Sequence, residues 1–235
     1  MSSYLSLMIA LLIIICWGVT ISFGLMGDFT TLYFLAIIFL ILLQTFFNTG
    51  LFIIAHDGMH GILYSPNGFL NDSIARLALL LYAGLSYDVL REKHYLHHRF
   101  TGTNLDPDFH HHNSNFFLWY GKFMTKYVSF WHLCCLSFSV LIIVYFLQIS
   151  WLNLLIFWAL PLILSSLQLF FFGTFLPHRF HGENYHSLSS IESLHLPILL
   201  SLITCYHFSY HQEHHRYPFI PWWQLPFNSS PRKCS

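Results

Sequence analysis

The sequence predicts an all-α integral membrane protein: four transmembrane helices in two hairpins, a cytoplasmic histidine-rich cap and short interfacial helices. Three observations predict it. Of the 235 residues, 55% are hydrophobic and 9% charged, against roughly 25% charged in an ordinary soluble domain, so much of the surface must face lipid. The apolar residues gather into runs long enough to cross a bilayer. The third observation is 17 histidines, more than the 10 lysines and arginines together, and most of them clustered. Ten basic and ten acidic residues cancel, which leaves no electrostatic case for nucleic acid as a partner. At this length one domain, residues 1–235, is expected.

The elements follow in order. Apolar runs from Tyr4 to Leu25 and from Thr31 to Ala55 are joined by Met26-Gly27-Asp28-Phe29-Thr30, a tight helical hairpin. The second run has about 25 residues and reaches about 37 Å at about 1.5 Å per residue, enough to span. No Lys or Arg precedes Arg76, so the opening run lacks the basic region of a signal peptide and is expected to remain as a span. Ile74–Leu85 is apolar but too short to cross. Arg76 and the group Asp88, Arg91, Glu92 and Lys93 bracket it, which predicts a re-entrant or interfacial helix. Tyr127–Pro177 carries no formal charge, and a break near Gln148-Ile149-Ser150 divides it into the second hairpin. Pro161 is expected to kink the fourth span. Ile198–Tyr206 is again too short to cross. The five cysteines, Cys16, Cys134, Cys135, Cys205 and Cys234, form no CxxC pair and read as small buried hydrophobes.

Every Lys and Arg falls between the hairpins or after the second one, and the two hairpin turns contain none. By the positive-inside rule both termini face the cytoplasm. His56 and His60 then emerge with span two, and His178 with span four, on that same side.

Three histidine clusters stand out: His56-Asp57-Gly58-Met59-His60, His94-Tyr95-Leu96-His97-His98 and His211-Gln212-Glu213-His214-His215. Residues at i, i+3 and i+4 share a helix face, so each cluster presents two or three imidazoles together. Imidazole suits iron, copper, zinc and nickel. Eight such histidines exceed the four ligands of a zinc site, and an all-nitrogen set without cysteine argues against structural zinc. Two metals are therefore implied. Candidates for a ninth ligand are His178, His181, His186 and His207, with His178 favoured because it closes span four as His60 closes span two. His207 lies one turn before His211 and reads either as a support for a ligand or as an interfacial histidine. Asp57, Asp106, Asp108 and Glu213 are candidates to receive the second N–H of a metal-bound imidazole. The plain alternatives are a turn at Asp106-Pro107-Asp108 and solvent exposure for Asp57 and Glu213. His132 and His195 read as lone, satisfied polar residues, and His110, His111 and His112 as a solvated loop.

HxxxH, HxxHH and HxxHH boxes on four spans resemble the membrane fatty acid desaturase and hydroxylase superfamily. The flanks carry the resemblance further. His56-Asp57-Gly58-Met59-His60-Gly61, Gly102-Thr103-Asn104-Leu105-Asp106-Pro107-Asp108, Phe172-Gly173-Thr174-Phe175-Leu176-Pro177-His178 and Thr204-Cys205-Tyr206-His207-Phe208 are similar to the beta-carotene ketolase family. So is Glu213-His214-His215-Arg216-Tyr217-Pro218 followed by Pro221-Trp222-Trp223-Gln224-Leu225-Pro226. Ser209 stands where glycine is expected, Gly58 where alanine is expected, and the Arg99–Phe100 stretch also differs. The resemblance implies two iron ions (Fe2+) held by His56, His60, His94, His97, His98, His178, His211, His214 and His215. It implies O2 as co-substrate and oxidation of the C4 methylene of beta-carotene to a ketone, giving echinenone and canthaxanthin.

The chain has no Gly-rich dinucleotide loop and no cysteine cluster, so electrons are expected from outside, from reduced ferredoxin or a similar carrier. Sibling readings are a carotenoid ring hydroxylase and a lipid desaturase. Readings of another class are a membrane zinc hydrolase, disfavoured because HExxH is absent, and a metal transporter, disfavoured because the histidines gather on one side. The aromatic-rich spans could line a substrate tunnel or simply face lipid. Trp222-Trp223 could cap the third box or belong to the interfacial aromatic belt.

Overall fold

The computed structural model describes residues 2–29, 33–110, 115–178 and 191–228, and no strand occurs among them. Its helices are α1 (Ser2–Met26), α2 (Phe34–Met59), α3 (Gly68–Ala83), α4 (Tyr87–Phe100), α5 (Phe116–Tyr127), α6 (Phe130–Leu147), α7 (Trp151–His178), α8 (Ile198–Cys205) and α9 (His211–Arg216). Four of them, α1, α2, α6 and α7, are long and apolar enough to cross a membrane. These match the four runs expected from hydropathy. The third begins at Phe130 rather than Tyr127, because Tyr127 ends α5, a short helix the sequence did not announce.

Polar side chains start α3, α5 and α6. Asn67 accepts the Leu70 N–H at 3.0 Å, Asn115 accepts those of Phe117 and Leu118, and Ser129 accepts that of His132 at 3.1 Å. Each satisfies a donor that a first helical turn leaves without an intrahelical partner. Gly84 ends α3 with φ 65°, a left-handed conformation that costs glycine little, and α4 leaves at 101° to α3. The corner is braced by Asp72, which accepts from the Tyr87 hydroxyl at 3.1 Å and from Arg91 at 3.0 Å. Each of these helices is too short to cross alone, as expected for Ile74–Leu85 and for Ile198–Tyr206.

Helix α2 packs against α1, α3 and α7. Buried polar side chains clasp the three long helices: the Trp17 indole N–H donates to Asn48 Oδ1 at 2.8 Å, and Thr49 Oγ1 donates to Gln168 Oε1 at 2.7 Å. In an apolar medium such interhelical bonds add to packing in fixing helix register. Helix α6 is different, with only 6% of its apolar window buried. Cys134 and Cys135 lie on it and are exposed, so the expectation of burial fails for these two. Cys205 is buried and Cys16 half-buried, while Cys234 lies outside the described residues.

Helix α7 contains two π-helical turns, Leu155–Ala159 and Phe171–Phe175. The first sits immediately before Pro161 and accommodates a residue that supplies no backbone donor. The second lies at the histidine end of the helix. Such wide turns are frequent where a helix serves a functional site.

Candidate metal centre

The nine imidazoles proposed as ligands converge into two clusters. His56, His60, His94, His98 and His214 form one, and His97, His178, His211 and His215 the other. Within each, one ligand atom per residue lies within 4.8 Å of all the rest. His56, in the last turn of α2, and His60, which caps that helix, lie at i and i+4 and both join the first cluster. The other two boxes divide: on α4, His94 and His98 face the first cluster and His97 the second, while on α9 His214 faces the first and His211 and His215 the second. His178, at the end of α7, supplies the fourth member of the second cluster. Each cluster thus draws on three separate helices.

The facing Nε2 atoms lie close. His60 and His94 are 2.7 Å apart, His98 and His214 2.9 Å, and His56 and His214 3.1 Å. In the second cluster His211 and His215 are 3.0 Å apart, His97 and His215 3.1 Å, and His178 and His211 3.3 Å. Metal–nitrogen bonds of about 2.1 Å at about 90° would put neighbouring nitrogens about 3 Å apart. The donor set therefore fits two metal ions. Burial supports the same state. It pushes His60 down to about 4, and it pushes His94, His211, His214 and His215 well below the usual histidine range, with neighbouring imidazoles adding to the effect. Neutral imidazole is the form that binds metal.

The carboxylates behave differently from one another. Asp106 Oδ1 lies 2.9 Å from His97 Nδ1, and its other oxygen accepts the Gly102 N–H at 2.9 Å. Burial alone would lower His97, but the Asp106 and Asp108 carboxylates outweigh it and hold His97 up at about 9. Asp108 accepts from the Tyr127 hydroxyl and stands 3.8 Å from His97 Nδ1. Asp57 Oδ1 lies 3.5 Å from His56 Nδ1, while Oδ2 accepts the Trp222 N–H at 3.2 Å and ties the aromatic cap to α2. Trp223 joins the same cap to α1 through Ser6.

Glu213 is turned elsewhere. It accepts from the Ser193 hydroxyl and stands 3.3 Å from His195 Nε2, so its partners lie in the segment before α8 rather than among the clustered imidazoles. His195 is a satisfied polar residue through that contact. His132 is another, its Nε2 lying 2.8 Å from the Ala83 carbonyl. His207 is buried, with Nδ1 3.1 Å from Ser201 Oγ and its ring stacked on Trp222. It belongs to neither cluster. His111, His112, His181 and His186 lie outside the described residues.

Beside both clusters is a cavity of about 290 Å³, lined by His56 and His94 of the first and His97 and His211 of the second. Its remaining wall is largely apolar, with Phe52, Phe123, Leu133, Leu162 and Phe208 among its residues. Most aromatic side chains elsewhere on α6 face outward, so a few aromatics line the cavity and many meet lipid. Tyr82, Tyr120 and Tyr127 also line it. The sequence did not single them out, because a tyrosine in an apolar run looks the same whether it faces a cavity, lipid or another helix.

The sequence model of the fatty acid desaturase family matches residues 31–135 and 126–231. A beta-carotene ketolase of Paracoccus sp. strain PC1 is 41% identical over 216 residues, covering 91% of this chain and 88% of that protein. A beta-carotene 4-ketolase 3 of Haematococcus lacustris is 39% identical over 208 residues, 86% of this chain. The chain spans only 64% of the length of that algal protein. A zeaxanthin 4-ketolase of Chlamydomonas reinhardtii is 40% identical over 200 residues, 77% of this chain and 41% of that protein. No solved structure matches. This chain belongs to the beta-carotene ketolase family, within the fatty acid desaturases.

Proposed function

We propose that the chain, as a single domain over residues 1–235, is an O2-dependent ketolase acting on the C4 methylene of beta-carotene rings. The observation that carries the reading is the apolar cavity bounded by imidazoles of both clusters. There a hydrocarbon ring and a nitrogen-ligated pair of metals can meet. The relatives named beta-carotene ketolase and zeaxanthin 4-ketolase support the same substrate class.

The ligands are proposed to be His56, His60, His94, His98 and His214 for one iron, and His97, His178, His211 and His215 for the other. Two ferrous ions bound there would supply the reduction of O2 and the oxidising power to break a strong C–H bond. In each of two rounds, one O2, two electrons and two protons place one oxygen on C4 and release one water. The second round gives a geminal diol, which loses water to leave the ketone, first echinenone and then canthaxanthin.

The protein binds the ring among apolar side chains, which also keep water from the reacting carbon. Asp106 fixes the His97 tautomer by taking its Nδ1 proton in a hydrogen bond. The aromatic cap, tied to α2 through Asp57 and to α1 through Ser6, holds the segment following α9 against these two helices. Electrons are proposed to come from reduced ferredoxin or a similar carrier docking on the basic face. Charge placement supports a topology with that face, the two hairpins' open ends and both termini on the cytoplasmic side.

The test is expression in a bacterium that accumulates beta-carotene, followed by chromatography of the pigments. Echinenone or canthaxanthin, lost on His214→Ala, is the expected result. Zeaxanthin would move the oxidised carbon to C3 and make the chain a ring hydroxylase. Unchanged beta-carotene, with iron-loaded protein present, would sink the reading. Turnover by purified protein with NADPH and no carrier would remove the external donor.

A further inference from the structure

Thr174 is unusual among the threonines of the described residues. Every other one has its hydroxyl within hydrogen-bond reach of a backbone carbonyl, most often one helical turn back, as Thr45 has with Ile41 and Thr101 with His97. The Thr174 hydroxyl makes no such bond, although the residue is only 4% exposed. The backbone gives the reason. Thr174 lies in the π-helical turn Phe171–Phe175, where the Leu176 N–H reaches back to Phe171, so the usual carbonyl is displaced from beneath the side chain.

Its position gives that hydroxyl a use. Thr174 lines the cavity together with His97 and His211 of the second cluster and His56 and His94 of the first. It stands one turn before His178 on the same helix. The other hydroxyls on this wall have protein partners: Tyr82 accepts from Ser165 at 3.4 Å, Tyr120 pairs with Ser166, and Tyr127 donates to Asp108. An unsubstituted hydrocarbon ring in this cavity offers the Thr174 hydroxyl no acceptor. The first oxidation changes this by placing an oxygen on the ring carbon next to the metals.

We propose that the Thr174 hydroxyl binds the oxygen of the singly oxidised, 4-hydroxylated ring and turns that carbon's remaining C–H bond toward the metal centre for the second oxidation. The inference rests on the ketolase reading and assigns Thr174 as the residue that makes the reaction run to a ketone rather than stop at an alcohol.

Two measurements test it. Metal-free protein in lipid nanodiscs is titrated with 4-hydroxylated and with unsubstituted carotenoid, following quenching of tryptophan fluorescence. Wild type is expected to prefer the hydroxylated ring by roughly 3- to 10-fold, the effect of one hydrogen bond. Thr174→Val removes the preference and Thr174→Ser keeps it. Equal affinities in wild type, or a preference that survives Thr174→Val, would overturn the proposal. In beta-carotene-accumulating cells, Thr174→Val with retained iron should divert product from ketone to the 4-hydroxy carotenoid, and Thr174→Ser should restore ketone. An unchanged product ratio in the valine variant also overturns it. Because binding is read without turnover, a wild type that formed no ketone would count against the ketolase reading and leave the titration to decide Thr174.

Discussion

Nδ1 of His97 lies 2.9 Å from Oδ1 of Asp106, and both side chains are closed off from solvent. The same imidazole turns Nε2 to His215, so a carboxylate, an imidazole and the second cluster stand in line. A carboxylate behind a metal-bound imidazole fixes its tautomer and raises its basicity, and removing one typically costs 10- to 100-fold in metal affinity or activity. Asp106→Asn keeps the shape, as the amide oxygen can still accept from Nδ1. Asp106→Ala removes the acceptor and also releases the Gly102 N–H. Iron content and product yield should fall by roughly 10- to 100-fold in the alanine variant and less in the asparagine variant. Equal iron retention by wild type and Asp106→Ala would show that the contact does not support the site.

His178 brings the second cluster its only member from α7. With His178 replaced by alanine, three imidazoles remain in that cluster, while the five of the first are untouched. The expected outcome is loss of about half the bound iron and of ketone formation, measured by metal analysis of purified protein beside pigment chromatography. A His178→Ala protein that keeps both irons and full activity would remove the residue from the ligand set.

The spans and the imidazoles of the centre were legible in the sequence for simple reasons. Lipid-facing helices need long uncharged runs, and HxxxH or HxxHH spacing survives any arrangement of the helices that carry it. What spacing could not reveal was the division of the boxes between the two clusters. His97 and His98 are neighbours in sequence, yet successive residues on a helix point about 100° apart, and they serve different clusters. Glu213 sits inside a box, but the same rotation carries it away to Ser193 and His195. Asp106 was readable only as one of several candidate carboxylates, since a turn of Asp-Pro-Asp is ordinary by itself. Helix α5 and the π turns of α7 left no mark in hydropathy, because one is short and the other changes backbone pitch without changing composition.

Acid should unfold the metal-free protein in a defined window. Burial pushes His60 down to about 4 from an ordinary 6.5, and it lowers His94, His211, His214 and His215 well below their ordinary value too. An unfolded chain protonates these groups near 6.5, whereas the folded chain keeps them neutral. Their stabilisation is therefore present above about 6.5 and is lost as pH falls toward 4, at about 1.4 kcal/mol per pH unit for each independent group. His97, held at about 9, has the opposite sign, being fully stabilising below about 6.5 and losing that contribution as pH rises toward 9. The two trends place maximal stability of the iron-free protein near neutrality. Thermal unfolding in detergent from pH 5 to 9 checks this, and a melting temperature that does not change between pH 7 and pH 5 would contradict it.

Gly58 lies inside the first histidine box where alanine was expected, and α3 presses directly on it. A Cβ at this position would come within 2.4 Å of the Ala75 Cβ, and the Asn71 amide donates to the Gly58 carbonyl at 2.8 Å. Gly58→Ala should therefore cost about 1–3 kcal/mol through overpacking, even though alanine is intrinsically the better helix former. The strain falls between His56 and His60, so iron occupancy should drop together with the melting temperature. Ala75→Gly alone should destabilise by about 1 kcal/mol. Combined with Gly58→Ala, it moves the methyl group to the other helix and should recover most of the loss, a coupling expected only of residues in contact. If the two substitutions simply add, measured by thermal unfolding and iron content, the close approach of α2 and α3 at Gly58 is not what holds the first box in place.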